Sequence, residues 1–270
     1  MSAAGFRALV YEARSVVDTA RHELSPASVG AVVVSGMLAE QLARELGAEA
    51  VPGAVTGDDG ERMPVAEVLV RVVAGEPSEA DDAFIRTADQ RGTPVVVVQL
   101  WPQADWTPPF VLSPFVVECR AGEGFPLREI ADRIVEASEH GPLLAARVPA
   151  LRKAAAHGVV RQAVLRSAVL GVAGAGTGAA RPLIALEQIR MLARLRAMTT
   201  GSAGSDEMPI LAGGAALALA AGFAFRGVAR SARQVLPASI ANAAVAAAGT
   251  WALAKTMQAL RTLEAHVPPE

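Results

Sequence analysis

Residues 209–225, PILAGGAALALAAGFAF, and residues 234–254, QVLPASIANAAVAAAGTWALA, contain no charged side chain. Between them stands a basic turn holding Arg226, Arg230 and Arg233. Ala, Gly and Leu dominate both runs, so neither has a polar face for water, and a helix apolar all round must be buried in protein or in lipid. Each run approaches the length of a hydrocarbon core, the first falling slightly short. Gly214, Ala218 and Gly222 recur every four residues, as do Asn242, Ala246 and Thr250. Small residues at that spacing let helix backbones approach closely in a membrane, with Asn and Thr able to bond across the contact. The expectation is an all-α, hydrophobic C-terminal domain, with the three arginines at the cytoplasmic surface if the hairpin dips in from that side. The same runs could instead form the core of a helical domain in water.

Upstream the pattern changes. Residues 1–26 read as an amphipathic helix, with Phe6, Leu9, Val10, Ala13, Val16 and Val17 at helical spacing, stopped by Ser25-Pro26. Charged residues Arg7, Glu12 and Arg14 occupy the place of a signal-peptide apolar centre, so secretion by that route is not expected. From Val29 short β-branched runs alternate with helices. Strands are expected at Val29–Val34, Ala66–Val73, Thr93–Leu100 and Pro114–Cys119. Helices are expected at about Met37–Leu46, Glu79–Arg91 and Pro126–Ser138. Residues 51–64, with Gly57-Asp58-Asp59-Gly60, read as an acidic connection. Continuous apolar strands alternating with helices indicate a parallel sheet covered on both faces, so residues 27–139 form one α/β domain. After Gly141-Pro142 the strands stop, and residues 142–264 read as helical, with one helix over Leu143–Ala173 and another over Leu183–Met198.

The chain is 52% hydrophobic but only 4% aromatic, which favours close helix packing over bulky core filling. A net charge of -2 offers no basic face of the kind nucleic acid requires. The one cysteine, Cys119, cannot form an internal disulfide and fits a reducing compartment. No two of the four histidines have metal-ligand spacing. Neither metal nor cofactor is expected.

A phosphate loop would open the α/β domain, needing glycines, a lysine and a hydroxyl. The turn here is Val34-Ser35-Gly36-Met37-Leu38-Ala39-Glu40, without lysine and with an acid where phosphate charge would need balancing. Residues Gly174-Ala175-Gly176-Thr177-Gly178 follow no strand and serve a turn or close packing better than a dinucleotide. The pairs Asp58-Asp59 and Asp81-Asp82 fit solvation and helix N-termini, and neither Ser35 nor Ser113 has a Gly-x-Ser-x-Gly setting. No catalytic residue is assigned. Trp101 and Trp106, with Pro102 and Pro108-Pro109, form an aromatic loop at the C-terminal edge of the sheet, either a structural lid or an interaction surface.

Three stretches follow a familiar order: Leu144-Ala145-Ala146-Arg147-Val148-Pro149-Ala150-Leu151-Arg152, then Leu186-Glu187-Gln188-Ile189-Arg190-Met191, then Ala243 to Leu253 with Ala248-Gly249-Thr250. Over about residues 142–264 they resemble the domain of unknown function that lies C-terminal to the GTPase module of some bacterial Era-like GTPases. A related domain occurs in a family of bacterial inner-membrane proteins. The resemblance implies that residues 27–139 are a degenerate P-loop GTPase-like domain. Thr93–Leu100 is similar to the strand preceding the guanine-reading motif, and Glu118-Cys119-Arg120-Ala121-Gly122-Glu123-Gly124 to the late Ala/Gly loop. The phosphate-loop lysine, an Asp-x-x-Gly and the Asn-Lys-x-Asp motif are missing, so GTPase activity transfers to no residue.

The expected protein is a non-catalytic, membrane-associated scaffold or adaptor at the cytoplasmic face of the bacterial inner membrane. Its partner is membrane lipid, with a homo-oligomer possible and no nucleic acid. Two alternatives stay open. One is a homo-oligomeric regulatory protein with an Ala-rich helical core, and the other is a nucleotide hydrolase with a non-standard phosphate loop.

Overall fold

In the computed structural model of the chain the described residues are 29–58, 65–75, 77–102, 108, 110–112, 115–173, 180–200 and 237–264. The expected helix at 1–26, the run 209–225 with Gly214, Ala218 and Gly222, the basic turn, the glycine stretch 174–178, Ser113 and Trp106 lie outside them. The described elements run β1 (Val32–Gly36), α1 (Ala39–Leu46), β2 (Val55–Asp58), β3 (Val68–Ala74), α2 (Glu79–Gln90), β4 (Val95–Leu100), β5 (Val116–Cys119) and α3 (Leu127–Ala137). They continue with α4 (Gly141–Arg147), a 3-10 turn (Pro149–Leu151), α5 (Arg152–Ala173), α6 (Ala180–Thr200) and α7 (Ala238–Glu264).

Five strands form one wholly parallel sheet in the order β2-β1-β3-β4-β5. The expected α/β class and parallel sheet are present. Val68, Leu69, Val70 and Val72 on β3, and Val96, Val97 and Val98 on β4, are buried, as strands covered on both faces require. Helix α2 covers the face carrying Val33, Leu69, Val73 and Val97 with Phe84, Ile85 and Ala88. The chain moves one way from β1 to β2 and the other way from β3 to β4. With right-handed crossovers, α1 and α2 therefore fall on opposite faces. The switch point lies between β1 and β3, at the C-terminal ends of their strands, where open α/β sheets bind ligands.

One strand escaped the sequence. Val55-Thr56-Gly57-Asp58 has weak strand propensity and sits inside an apparent loop. It forms because β1 offers it a ladder in register, Val32 beside Val55 through Ser35 beside Asp58. The single helix expected over Leu143–Ala173 is also broken. Val148 takes an extended conformation ahead of Pro149, as residues before proline do, so α4 ends at Arg147.

Two compact units result. One contains Ser25–Gly158 with Ala197–Ser202, and the other contains Val159–Arg196 within the helical region and the chain from Ala203 onward, besides Met1–Leu24. The strand-bearing unit thus continues past its last strand. Arg147 explains how: its Nη1 donates to the carbonyls of Val29 (2.6 Å) and Gly30 (3.2 Å), and its own carbonyl accepts from Val51 N–H at 2.9 Å.

A second tie crosses the N-terminal edge of the sheet. Glu67 Oε1, just ahead of β3, accepts from Ser138 Oγ at 2.9 Å and His140 N–H at 3.4 Å, with His140 Nδ1 3.1 Å away. Burial raises the Glu67 carboxyl, but these hydrogen bonds and the His140 charge outweigh it and hold the group below its ordinary 4.5. An acid depressed on folding contributes stability that is present above its unfolded value and lost as pH falls through the folded one. In urea titrations the wild type is therefore expected to exceed Glu67→Gln in stability at pH 7. The gap should close as pH drops below about 4.5. A gap that widens on acidification would refute the tie.

Candidate functional site

Two places could carry function, and the first is the switch point. Gly36 ends β1 at φ 98°, Leu38 stands at φ 57°, and Met37 N–H donates to the Val72 carbonyl at 3.2 Å. A phosphate loop aims such N–H groups at its ligand, whereas here one is engaged by the neighbouring strand. Leu38 precedes α1 with no side-chain cap, and Glu40 brings a carboxylate into the first turn. That carboxylate lies against Gly57 of β2, where a Cβ would meet its Oε1 at 2.7 Å.

The cation nearest this turn is also engaged. Arg71 of β3 reaches Asp81 of α2 through Nε (2.9 Å) and Nη2 (2.7 Å), and its Nη1 lies 3.4 Å from Ser35 Oγ. Its guanidinium stacks over the Phe84 ring at 4.7 Å. Asp81 Oδ2 accepts from Ser78 N–H (2.9 Å) and Ser78 Oγ (2.7 Å), completing a capping box at the start of α2. Burial raises the Asp81 carboxyl, but the Ser78 and Arg71 hydrogen bonds and the Arg71 charge bring it below its ordinary 3.8. Ser35 is fully buried beneath this pair. The arrangement is a closed plug of matched charges rather than an anion cradle.

The other candidates near the sheet occupy structural positions. Asp58 pairs into β2, and Asp82 lies in the first turn of α2 with its Oδ1 buried and without a hydrogen-bond partner. Cys119 is buried at the end of β5, and burial, then the Glu129 carboxylate, push its thiol up to about 11, which leaves it unreactive. Trp101 lies exposed beyond β4 at φ 51°, and Phe110 and Leu112 are exposed in the connection that follows. No group of three His, Cys, Asp or Glu among the described residues could hold a metal ion.

The second place lies within the helical unit. Thr250 on α7 is buried, accepts from Gln188 Nε2 of α6 at 3.1 Å and donates to Ser167 Oγ of α5 at 3.0 Å. This polar seam joins all three helices at one level. Glu187, beside it, pairs with Arg190 at 2.9 Å and Arg166 at 3.6 Å. About 6 Å further along α5 the backbones meet. A Cβ on Gly171 would stand 2.8 Å from the Asn242 carbonyl and 2.9 Å from Ala243 Cα, so only glycine permits the approach. α5 and α7 are therefore antiparallel here.

Of the expected packing residues, Thr250 is in the seam, while Asn242 and Ala246 are half-buried. The inward line of α7 is Ala241, Gly249, Thr250, Leu253 and Ala254. Sequence reading missed Ser167 and Gly171, although they repeat on α5 the four-residue spacing noted for α7. Two of the three stretches quoted for the resemblance meet in space, Gln188 with Thr250, and Met191 is buried in the same unit, whereas Leu144–Arg152 belongs to the other unit.

On the outside the polarity is reversed. Leu165, Val169 and Val172 form an exposed stripe on α5, and Leu183 is exposed on α6. On α7 the exposed line is Ile240, Ala244, Ala248 and Trp251. Val169 is 67% exposed and Trp251 54%, whereas Ser167 and Thr250 are 0%. From the seam toward the Gly171 end, Ser167–Ala173 and Ala238–Thr250 carry no charge, and Arg181 is the one charged residue between Ser167 and Leu186. Away from that end stand Arg161, Arg166, Arg190, Arg194 and Lys255, with Lys255 Nζ 5.8 Å from the Trp251 ring. Among the described residues no helix is long and apolar enough to cross a membrane.

Comparison of the chain with protein-family models, with curated proteins and with solved structures finds no match.

Proposed function

We propose that this protein is a membrane-associated, non-catalytic scaffold or adaptor, whose helical unit seats its apolar end in one leaflet. The observation that carries this reading is the exposed apolar surface of that end, Leu, Val, Ile and Trp, around a bundle whose buried hydroxyls and amide bond across helices. In water, exposed contiguous apolar surface is costly and marks an interaction site. In lipid the arrangement is the favoured one, because polar side chains face the bundle interior and bond across helices. The uncharged runs of this end extend about 9 Å along α5 and about 18 Å along α7, with Arg181 of α6 the one charge among them, which suits one leaflet of a core about 30 Å thick. Trp251 with Lys255 at its upper limit fits the interface, where aromatic rings and snorkelling lysines concentrate.

The α/β unit is, on this reading, a GTPase-like fold without its chemistry. The plugged switch point supports that, together with the motifs absent from the sequence. In keeping with the family resemblance, the membrane is the bacterial inner membrane, approached from the cytoplasm. The exposed line on α7 also favours a second reading, in which a second copy covers it and the protein is a homo-oligomer.

An alkaline carbonate wash of membranes separates the two. The full chain is expected to stay in the pellet, and Val169→Asp with Val172→Asp to move it to the supernatant while its circular dichroism is unchanged. A wild type that washes off and migrates as an oligomer supports the second reading. For the α/β unit, titration with labelled GTP and ATP is expected to give no saturable binding in the micromolar range. Micromolar affinity for either nucleotide would overturn the non-catalytic half of the proposal.

A further inference from the structure

The net charge of the whole chain conceals a division. Residues 142–264 contain 14 Lys and Arg against 4 Asp and Glu, whereas the remainder contains 11 against 23. The helical part is thus strongly basic on an otherwise acidic protein. Five of its described cations share one zone. Measured along the helices from the level of Ser167, Gln188 and Thr250, Arg161 lies about 9 Å away on α5. Arg190 lies about 3 Å and Arg194 about 9 Å away on α6, and Lys255 about 8 Å away on α7. All lie on the side opposite the uncharged end, as does Arg166, adjacent to the seam. Among the described residues the acid in this zone is Glu187, which engages Arg166 and Arg190 together. One carboxylate facing two guanidiniums leaves the zone with a cationic excess.

We infer that this belt selects anionic phospholipid headgroups, so that the helical unit recognises the charge of the bilayer as well as its hydrocarbon. The inference rests on the membrane reading above and adds the lipid class to it. The depth matches. When the uncharged end occupies the hydrocarbon of one leaflet, Arg166, Arg190 and Lys255, within about 8 Å of the seam, fall in the headgroup layer, which is roughly 5–8 Å thick on each side, and Arg161 and Arg194 stand just beyond it. A basic zone with a shallow apolar wedge is the pairing that gives stable peripheral attachment, each basic residue near an anionic surface adding about fivefold in affinity. Arg166 and Arg190 are held by Glu187 at the level of the seam, which orders the belt where headgroup phosphates lie. A nucleic acid would meet the same charge, but it has no use for the apolar end beside it.

The test uses the full chain and two kinds of vesicle, neutral phosphatidylcholine alone and phosphatidylcholine with about a third phosphatidylglycerol. Flotation is expected to show at least about tenfold tighter association with the anionic vesicles, weakening as salt is raised. Arg166→Gln is expected to reduce anionic binding about fivefold and to leave neutral binding unchanged, and Lys255→Gln to reduce anionic binding by a similar factor. Trp251 reports insertion through a blue shift of its fluorescence, isolated from the other two tryptophans by difference from Trp251→Phe. Equal binding to both vesicles, with the blue shift, overturns the headgroup inference and leaves the membrane reading standing. Binding to neither overturns both. A short DNA duplex that binds while vesicles do not also overturns it and makes the basic zone a nucleic-acid surface.

Discussion

Gly36→Ala is expected to destabilise the α/β unit by about 3 kcal/mol or more, the effect of a strained backbone added to a steric collision. Gly36 holds φ 98°, a region that side chains rarely enter. A Cβ there would collide with the Val72 carbonyl oxygen, the atom that accepts Met37 N–H. Gly36 and Val72 are also ladder partners between β1 and β3. Relief therefore requires moving β1 away from β3 at the centre of the sheet, where Val34, Val70 and Val72 are all buried. Gly75 and Gly122 supply the control, with positive φ of 64° and 80° and nothing within 4 Å of an added Cβ. Alanine at either is expected to cost only about 1 kcal/mol. Urea unfolding followed by far-ultraviolet circular dichroism gives the comparison. Equal losses at Gly36 and Gly75 would show that backbone conformation alone matters and that the β1–β3 approach does not.

Arg71→Leu is expected to cost about 3–5 kcal/mol, because it leaves a buried carboxylate without its partner. The side chains of Arg71 and Asp81 are only 13% and 11% exposed. Removing Asp81 as well is expected to restore part of the loss, since the penalty lies in the unpaired charge and not in the pair's net attraction. Recovery stays incomplete because Asp81 also completes the cap of α2 through Ser78. The pH dependence has a fixed sign. Asp81 lies below its ordinary 3.8 in the folded protein, so its contribution is present above that value and is lost as pH falls through the folded one. In Arg71→Leu that acid-sensitive share should shrink, because the arginine contribution to the depression is gone. A double variant no more stable than Arg71→Leu, with an unaltered acid limb, would contradict the charge-matched plug.

These two sites show why the start of the α/β unit lacks phosphate-loop chemistry. A strand, a glycine turn and a helix follow one another at the start of the α/β unit, as a phosphate loop would have them. Missing lysine and the presence of Glu40 were visible in the sequence and argued against nucleotide. The engagement of Met37 N–H by Val72 was not visible, nor was the use of Arg71 by Asp81, Ser35 and Phe84. Those contacts join residues from 10 to 36 positions apart, and nothing in local spacing announces them.

The helical unit divides in the same manner. Thr250 and Gln188 were both singled out in the sequence, the first by small-residue spacing and the second within a quoted stretch. Their bond to one another, the third partner Ser167 and the approach at Gly171 were not. The charge division was open to reading all along, but a whole-chain total of -2 averages it away.

The sequence by itself determined the alternation of strands and helices, the parallel class of the sheet and the absence of GTPase motifs. Each of these is local, set by periodicity, β-branching and residue identity within a few positions. Tertiary structure alone decided the strand order, the existence of β2, the break at Pro149 that ties α4 to the sheet, the closed switch point and the inverted polarity of the bundle. Each depends on which distant segment supplies the partner. A marginal strand becomes a strand only beside β1, and a buried hydroxyl is tolerated only where another helix brings its hydrogen bond.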